Sequence, residues 1–290
     1  MRRTYTNKTV PARSSPFPRQ EKNAAGAGEL VSVIMPAYNA EKTIAVAIAS
    51  VVGQTYPRWE LIVINDGSTD RTASVLQALA GQENRINILS TPNSGAAAAR
   101  NCGIAAANGS WIAFLDSDDA WEPRKLEIQM DALRRDRTID LIFTASAFMD
   151  EEGRRLSYCL SVPREITYRK LLKQNVISCS SVIVRKELAV RYPMKGGDIH
   201  EDYALWLSLL RDGCKAYGIN EPLFIYRLSP RSKSGNKRKA ALMTCRTYRA
   251  VGLSLPEAAY YFCWYAWRGM RKYRALKRLK GNTAWTKSLC

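Results

Sequence analysis

What this chain has little of narrows its chemistry. Of its 290 residues one is histidine, His200, which argues against His-rich zinc sites and His-clustered catalysis and leaves acid-base work to carboxylates. Seven cysteines, at 102, 159, 179, 214, 245, 263 and 290, include an odd member and form no CxxC spacing. With no secretory signal at the front, that pattern predicts a reducing cytosol and no disulfide framework. No apolar stretch approaches the roughly 20 residues of a membrane-spanning helix. The first strand-like run, VSVIM, leads into PAYNAE where a dinucleotide-binding fold carries GxGxxG, so a hydride-transfer enzyme is disfavoured.

Acids are scarce overall, 26 against 44 Lys and Arg, for a formal net charge of +18. The imbalance sits at the ends. Residues 30–226 carry 22 basic and 23 acidic side chains, whereas residues 1–29 carry six and two, and residues 227–290 carry 16 and one. A neutral body with basic tails reads as attraction to an anionic surface, not as the chemistry of the core. We expect an anionic membrane surface as a partner and no nucleic acid.

Residues 1–29, rich in Arg, Pro, Ser, Ala and Gly without an apolar period, predict a disordered arm. From Val31 the chain alternates strand and helix: a strand to Pro36, a helix from Thr43 to Val52, a strand from Trp59 to Ile64, a helix from Arg71 to Ala80 capped by Asp70, a strand from Ile86 to Leu89, and an alanine-rich helix from Gly95 to Ala107. Such alternation means a parallel sheet with helices on its faces. Further on, strands are expected at Asp140–Thr144, Ser180–Arg185 and Leu223–Leu228, a hairpin at Met149–Tyr158 around Glu152-Gly153, and a helix from Tyr203 to Leu210. Two more helical stretches follow, Ala240–Val251 and Leu255–Leu279.

The run WIAFLDSDD, Trp111 to Asp119, is the stretch around which the rest is organised. A short buried strand delivers Asp116, Asp118 and Asp119 at its carboxyl end, where ligands gather in open α/β sheets. Clustered acids repel one another unless a cation or a hydrogen-bonding ligand neutralises them, and hard oxygen ligands suit Mg²⁺ or Mn²⁺ shared with a phosphate. The plainer alternative is that Asp119 caps a helix beginning near Pro123 while the others are solvated loop acids.

Five motifs, in order and spacing, decide between these: PAYNAEKTI (36–44), INDGSTD (64–70), GAAAARNCGI (95–104), FLDSDD (114–119) and EDYALW (201–206). Together they resemble a family 2 glycosyltransferase of the bacterial surface-polysaccharide type, over about Val31 to Ser229. The resemblance implies a GT-A fold: α/β, a Rossmann-like and mostly parallel sheet flanked by helices. It implies that the first loop, Pro36, Ala37, Tyr38, Asn39 and Glu41, lines the nucleotide, and that Asp66 with Gly67 meets a uracil-like base edge. Arg100 would supply a cation near diphosphate or ribose. Asp118 would coordinate the divalent cation, Mn²⁺ or Mg²⁺, and Asp116 would hold the ribose or share the metal. The cation neutralises a leaving nucleoside diphosphate. Asp202 would be the base that deprotonates the acceptor hydroxyl, with Glu201 in support. Their place at a helix start also has a purely structural reading, since the dipole there favours anions. One base and direct attack invert the anomeric centre.

QTYPRW (54–59) is a near match to the QxxRW signature of processive synthases, but has one residue too many and lies too early; transfer of one or a few sugars is expected. After Tyr226-Arg227 a polar loop in similar enzymes closes over the donor diphosphate, which points to Arg227, Arg231 and Lys233, although Ser229 stands where many relatives have His. Tyr260, Tyr261, Phe262, Trp264, Tyr265 and Trp267 precede a run of cations, the marks of an interfacial helix on anionic lipid; the alternative is that this helix packs on the catalytic domain. The expected organisation is therefore an arm (1–29), a GT-A domain (30–229) and a basic helical extension (230–290). The expected activity is metal-dependent, inverting transfer from a UDP-sugar to a glycan or lipid-linked acceptor, in the cytoplasm at the inner face of the membrane. Two rivals remain open, a non-catalytic basic adaptor that keeps the fold and a sugar nucleotidyltransferase.

Overall fold

The computed structural model describes residues 29–229 and 237–280. Nearly all of the expected N-terminal arm, together with Arg231 and Lys233, lies outside the described residues. Strands β1 (Val31–Ala37), β2 (Trp59–Asp66), β3 (Ile86–Thr91) and β4 (Trp111–Phe114) alternate with helices α1 (Ile44–Val52), α2 (Thr72–Ala80) and α3 (Ala96–Ala106), as the sequence pattern predicts. Then come β5 (Ala120–Trp121), α4 (Lys125–Arg135), β6 (Leu141–Met149), β7 (Arg155–Leu160), β8 (Glu165–Ile166) and α5 (Tyr168–Lys173). The chain continues through β9 (Ile183–Arg185), α6 (Lys186–Arg191), α7 (Glu201–Arg211), β10 (Ala216–Arg227), α8 (Lys237–Ala250) and α9 (Leu255–Lys280).

The sheet runs β3-β2-β1-β4-β9-β6-β10-β5, with β7 beside β6 and β8 beside β10. Pairs β3-β2, β2-β1, β1-β4 and β6-β10 are parallel, and β9 runs against both β4 and β6. Alternation along each strand sends side chains to two faces. Ile34, Ile62, Ile64 and Phe114 pack under α3 and α7, while Val33, Met35, Leu61, Val63 and Ala113 pack under α1 and α4. At Gly103 a Cβ would come 2.6 Å from Ile34 Cγ2 and 2.7 Å from Ile64 Cδ1, so glycine is what lets α3 lie this close to the sheet.

Three expectations are corrected in the second half. Strand β6 has nine buried residues, extending to Met149. The Ser180–Arg185 strand is shorter, because Cys179–Ser181 turns as a 3₁₀ helix before β9 begins at Ile183. The Leu223–Leu228 strand is the last part of the longer β10, whose register on β6 shifts between Ile219 and Phe224. A β-bulge absorbs the intervening Asn220, Glu221 and Pro222. Helices α8 and α9 are not a loose tail: Tyr248, Val251, Leu253 and Ala258 join the core beneath α7 and α5.

Candidate active site

Because β1, β2 and β4 are parallel, the loops after them open on one edge of the sheet. The first two are laced together. Asn39, at a φ of 49°, receives the Thr69 amide on Oδ1 and donates its own amide to Ser68 Oγ. Glu41 Oε2 accepts from the Arg71 amide, and Asp70 takes the Glu41 and Thr72 amides. Asn39 and Glu41 therefore hold the start of α2, a good place for carboxylates, while Tyr38 at 51% exposure presents an open ring. Pro36 and Ala37 end β1, and the Ala37 side chain is buried.

Asp66 at the end of β2 is buried, with Oδ1 accepting from the Ser94 amide and Oδ2 from the Gly95 amide, both at 2.8 Å. It is thus an anchor for the N-terminus of α3; Oδ1 also takes the Thr91 hydroxyl at 3.3 Å, and Oδ2 retains a second lone pair. Gly67, at a φ of +70°, has the Asn93 amide 2.8 Å from where a Cβ would sit, so the turn that delivers Asp66 needs glycine.

The acids after β4 divide by environment. Asp119 is buried, with Oδ2 accepting from Ser180 Oγ at 2.7 Å and Oδ1 from the Arg227 amide at 3.0 Å. It caps no helix, so that sequence expectation is corrected. Burial first, then the charges of Asp118 and Asp116, push its carboxyl well up. Asp116 Oδ1 is 2.5 Å from Arg100 Nη2, and its amide donates to Ser180 Oγ at 3.1 Å. Asp118 alone of the three is exposed. The crowded walls of the crevice, then the Asp116 charge, raise its carboxyl to about 6.

Oxygens of Asp116, Asp118 and Asp119 lie within 4.8 Å of one another. Hard donors, mutual repulsion and an exposed member fit a divalent cation. Asp118 and Asp116 would hold it, because Asp119 is committed to Ser180 and Arg227.

Arg100 is 5% exposed and is buried between two acids, not open to the crevice as a free cation. Its Nη1 is 3.1 Å from Glu201 Oε1, opposite the Asp116 contact, and among the described residues its Nε has no partner. Next to it Asn101 exchanges two hydrogen bonds with the Met194 backbone. Helix α3 thereby carries the pair that joins the acids after β4 to the start of α7. There, Asp202 Oδ1 accepts from the Tyr203 amide at 2.8 Å. Burial, then the neighbouring Glu201 carboxylate, raise the Asp202 pKa, the direction that suits a general base. Arg227 is spent on backbone: Nε on the Asp118 carbonyl at 2.8 Å and Nη1 on the Glu151 carbonyl at 3.0 Å. It fastens the acidic loop to the β6-β7 turn.

Ser180 is the residue sequence reasoning missed. Its hydroxyl joins Asp116 to Asp119, and its carbonyl takes the Trp121 indole at 2.7 Å. A serine in an unpatterned SCSS run carries no signal that could have singled it out.

An α/β sheet with acids after β4 and an acid pair at a helix start across one buried arginine defines a GT-A glycosyltransferase. The Glycosyl transferase family 2 model matches residues 32–189, and the chain belongs to that family. It is 40% identical over 245 residues to TuaG of Bacillus subtilis (strain 168), named as a glycosyltransferase of teichuronic acid biosynthesis, covering 84% of this chain and 97% of that one. It is 40% identical over 213 residues to the UDP-Glc:alpha-D-GlcNAc-diphosphoundecaprenol beta-1,3-glucosyltransferase WfgD of Escherichia coli, covering 72% and 81%. Among solved structures the fold is shared with Staphylococcus aureus TarS 1-349 (TM-score 0.60, 18% identity, 82% and 70% covered). It is shared also with the mannosyltransferase PcManGT of Pyrobaculum calidifontis in complex with GDP-Man and Mn²⁺ (TM-score 0.61, 19% identity, 82% and 69% covered). The adaptor alternative falls with this membership.

Proposed function

We propose that this glycosyltransferase inverts the anomeric centre as it moves a sugar from a UDP-linked donor to a hydroxyl of a lipid-linked glycan in bacterial surface-polysaccharide synthesis. The observation that carries the reading is buried Arg100, which pairs with Asp116 on one side and Glu201 on the other and so ties the acid cluster that includes exposed Asp118, suited to a cation, to the acid pair that includes Asp202, whose raised pKa suits it to a proton. The relatives' names support UDP-glucose as donor class and an undecaprenol-linked acceptor.

When bound, a divalent cation would neutralise the charge that develops on the leaving diphosphate. Asp118 and Asp116 would hold it. Asn39 and Glu41 keep the two nucleotide-side loops together, Tyr38 offers a ring face to the base, and Asp66 Oδ2 has a lone pair left for its edge. Asp202 takes the proton of the acceptor hydroxyl as that oxygen attacks. Only the base and the incoming hydroxyl are needed, so the new bond forms on the face opposite the departing nucleotide.

Among the described residues no helix is long and apolar enough to cross a membrane. Helix α9 turns Tyr261, Phe262 and Tyr265 toward the core but leaves Tyr260 53% and Trp267 46% exposed. With 16 cations against one acid over residues 227–290, that outer stripe suits the anionic inner face of a membrane, where a lipid-linked acceptor sits.

Nucleoside diphosphate release from UDP- and GDP-sugars, with Mn²⁺ or Mg²⁺, tests the reading. Cation-dependent turnover of a UDP-sugar, lost in Asp118→Asn, is expected. Turnover of GDP-sugars alone, activity independent of cations, or pyrophosphate release from a nucleoside triphosphate would overturn it.

A further inference from the structure

The two residues that flank the acid pair of α7 are both held by α8. On the near side, the His200 amide donates to Thr247 Oγ1 at 3.0 Å, and the His200 ring Nε2 lies 3.3 Å from the Ala240 carbonyl. Thr247 is fully buried, and its hydroxyl hydrogen goes to the Met243 carbonyl at 2.8 Å. With that proton committed, the lone pair that receives His200 is fixed in direction. On the far side, Tyr203 is buried with its ring against Tyr248 at 6.1 Å. The Tyr248 hydroxyl donates to the Leu172 carbonyl at 2.6 Å, and the Tyr203 hydroxyl to the Leu171 carbonyl at 2.9 Å.

Glu201 and Asp202 thus sit between two anchors that come from the C-terminal extension, 45 and 47 residues away in sequence. The α7 N-cap has no side-chain cap of its own, so the Thr247 hydroxyl supplies the order that a capping residue usually gives. We infer that α8 is a positioning element of the transferase, with Thr247 fixing the turn at His200 and thereby the reach of Asp202 toward the acceptor hydroxyl. This rests on Asp202 being the base. It assigns the extension a part in the acceptor half of the reaction, whereas the acids after β4, which would hold the donor's diphosphate, are braced by Ser180 and Arg227. Because misplacing a reacting group by about 1 Å can cost on the order of a hundredfold, a single hydroxyl acting on one turn suffices.

The lone histidine makes the test site-specific. In a chain carrying no added histidines, ¹⁵N-histidine labelling gives one backbone amide signal, that of His200. Thr247→Val removes the acceptor at nearly constant volume. It is expected to move that signal upfield and speed its hydrogen exchange, and to lower kcat for transfer about tenfold with the UDP-sugar turned over in the donor panel. The donor KM, and UDP binding with Mn²⁺ measured by calorimetry, stay within twofold. Thr247→Ser restores both signal and kcat. Tyr248→Phe, a second variant that keeps the ring, lowers kcat about threefold with the same unchanged KM. An unmoved His200 amide in Thr247→Val, or an unchanged kcat in both variants, overturns the proposal. A parallel loss of UDP binding and kcat that serine does not repair also overturns it, as it would mark a purely structural role. Asp202→Asn run alongside separates the layers: if it is inactive while Thr247→Val is not impaired, this proposal alone fails, and if Asp202→Asn is fully active the base assignment fails with it.

Discussion

Arg100 Nη2 lies 2.5 Å from Asp116 Oδ1, and the arginine that makes this contact is itself buried against Glu201. A guanidinium with two carboxylates on opposite sides is tolerated out of water because each charge is paired. Removing it leaves two acids uncompensated. Arg100→Ala is expected to lower stability by about 3–5 kcal/mol, read by denaturant unfolding. Arg100→Lys recovers part of that, since an ammonium cannot reproduce the two-sided planar fork. Equal stability of all three proteins would show that the pairs contribute nothing.

The Asp118 carboxyl, raised to about 6, gives a pH dependence of definite sign. It is charged above about pH 6 and protonated below, so Mn²⁺ affinity of the wild type falls as pH drops through that value. Asp118→Asn loses most of the affinity and the pH dependence together. Stability of the cation-free protein runs the other way. A carboxyl that holds its proton more tightly folded than unfolded favours the fold at low pH and costs it stability as pH rises from its unfolded pKa, about 4, up to the folded value, above which the loss levels off. Asp118→Asn should therefore melt higher than wild type at pH 7.5 without metal, and the difference should shrink as pH falls below about 6 and vanish below about pH 4. A mutant that melts lower at both values contradicts the assignment.

Ser180 is expected to matter to the cation though it does not reach it. In Ser180→Ala the buried Asp119 loses a donor and the Asp116 amide loses its acceptor. A group left unsatisfied in this way costs about 1–3 kcal/mol. The loop loosens at the same time, so Mn²⁺ titration should show weaker binding than in wild type, with secondary structure by circular dichroism unchanged. Undiminished Mn²⁺ affinity would count against the brace.

The parallel half of the fold was legible because periodicity and punctuation agree there. Val33 and Ile34 sit on opposite faces of one strand, as their alternation requires, and helices restart where Asp70 and Gly95 stand. Beyond Arg137 tertiary context overrides local signals. Strand β10 runs from Ala216 through Asn220 and Pro222, well before the strand expected at Leu223–Leu228, and SCSS gives no hint of Ser180. Of the site, Asp118 and Asp202 were legible as acids at a strand end and a helix start. Arg100 was legible as a functional arginine but not as a buried bridge, since its partners lie 16 and 101 residues away and only the fold brings them together.

Gly103 tests the packing that carries Arg100. Gly103→Ala would place a methyl 2.6 Å from Ile34 Cγ2. Helix propensity favours alanine by up to about 1 kcal/mol, but overpacking typically costs about 1–3 kcal/mol. A net loss on thermal unfolding is expected, with transfer activity lowered as α3 is pushed off the sheet. A stabilised, fully active variant would mean that the two isoleucines turn aside freely.

Asp202→Asn isolates proton transfer from donor binding. The amide keeps the shape of the carboxylate and can still accept the Tyr203 amide hydrogen bond, so α7 should fold unchanged. It cannot take a proton at neutral pH, and loss of a general base typically costs about 10²–10⁴ in rate. Calorimetric UDP binding with Mn²⁺ should match wild type while kcat for transfer collapses. Because burial and Glu201 raise the Asp202 pKa, the acid limb of the wild-type kcat profile should lie above the ordinary carboxylate range. Glu201→Gln should move that limb downward by removing the nearby negative charge. A limb that stays in place would show that Glu201 exerts no charge effect on the base, and a wild-type rate in Asp202→Asn would show that the proton leaves by another group.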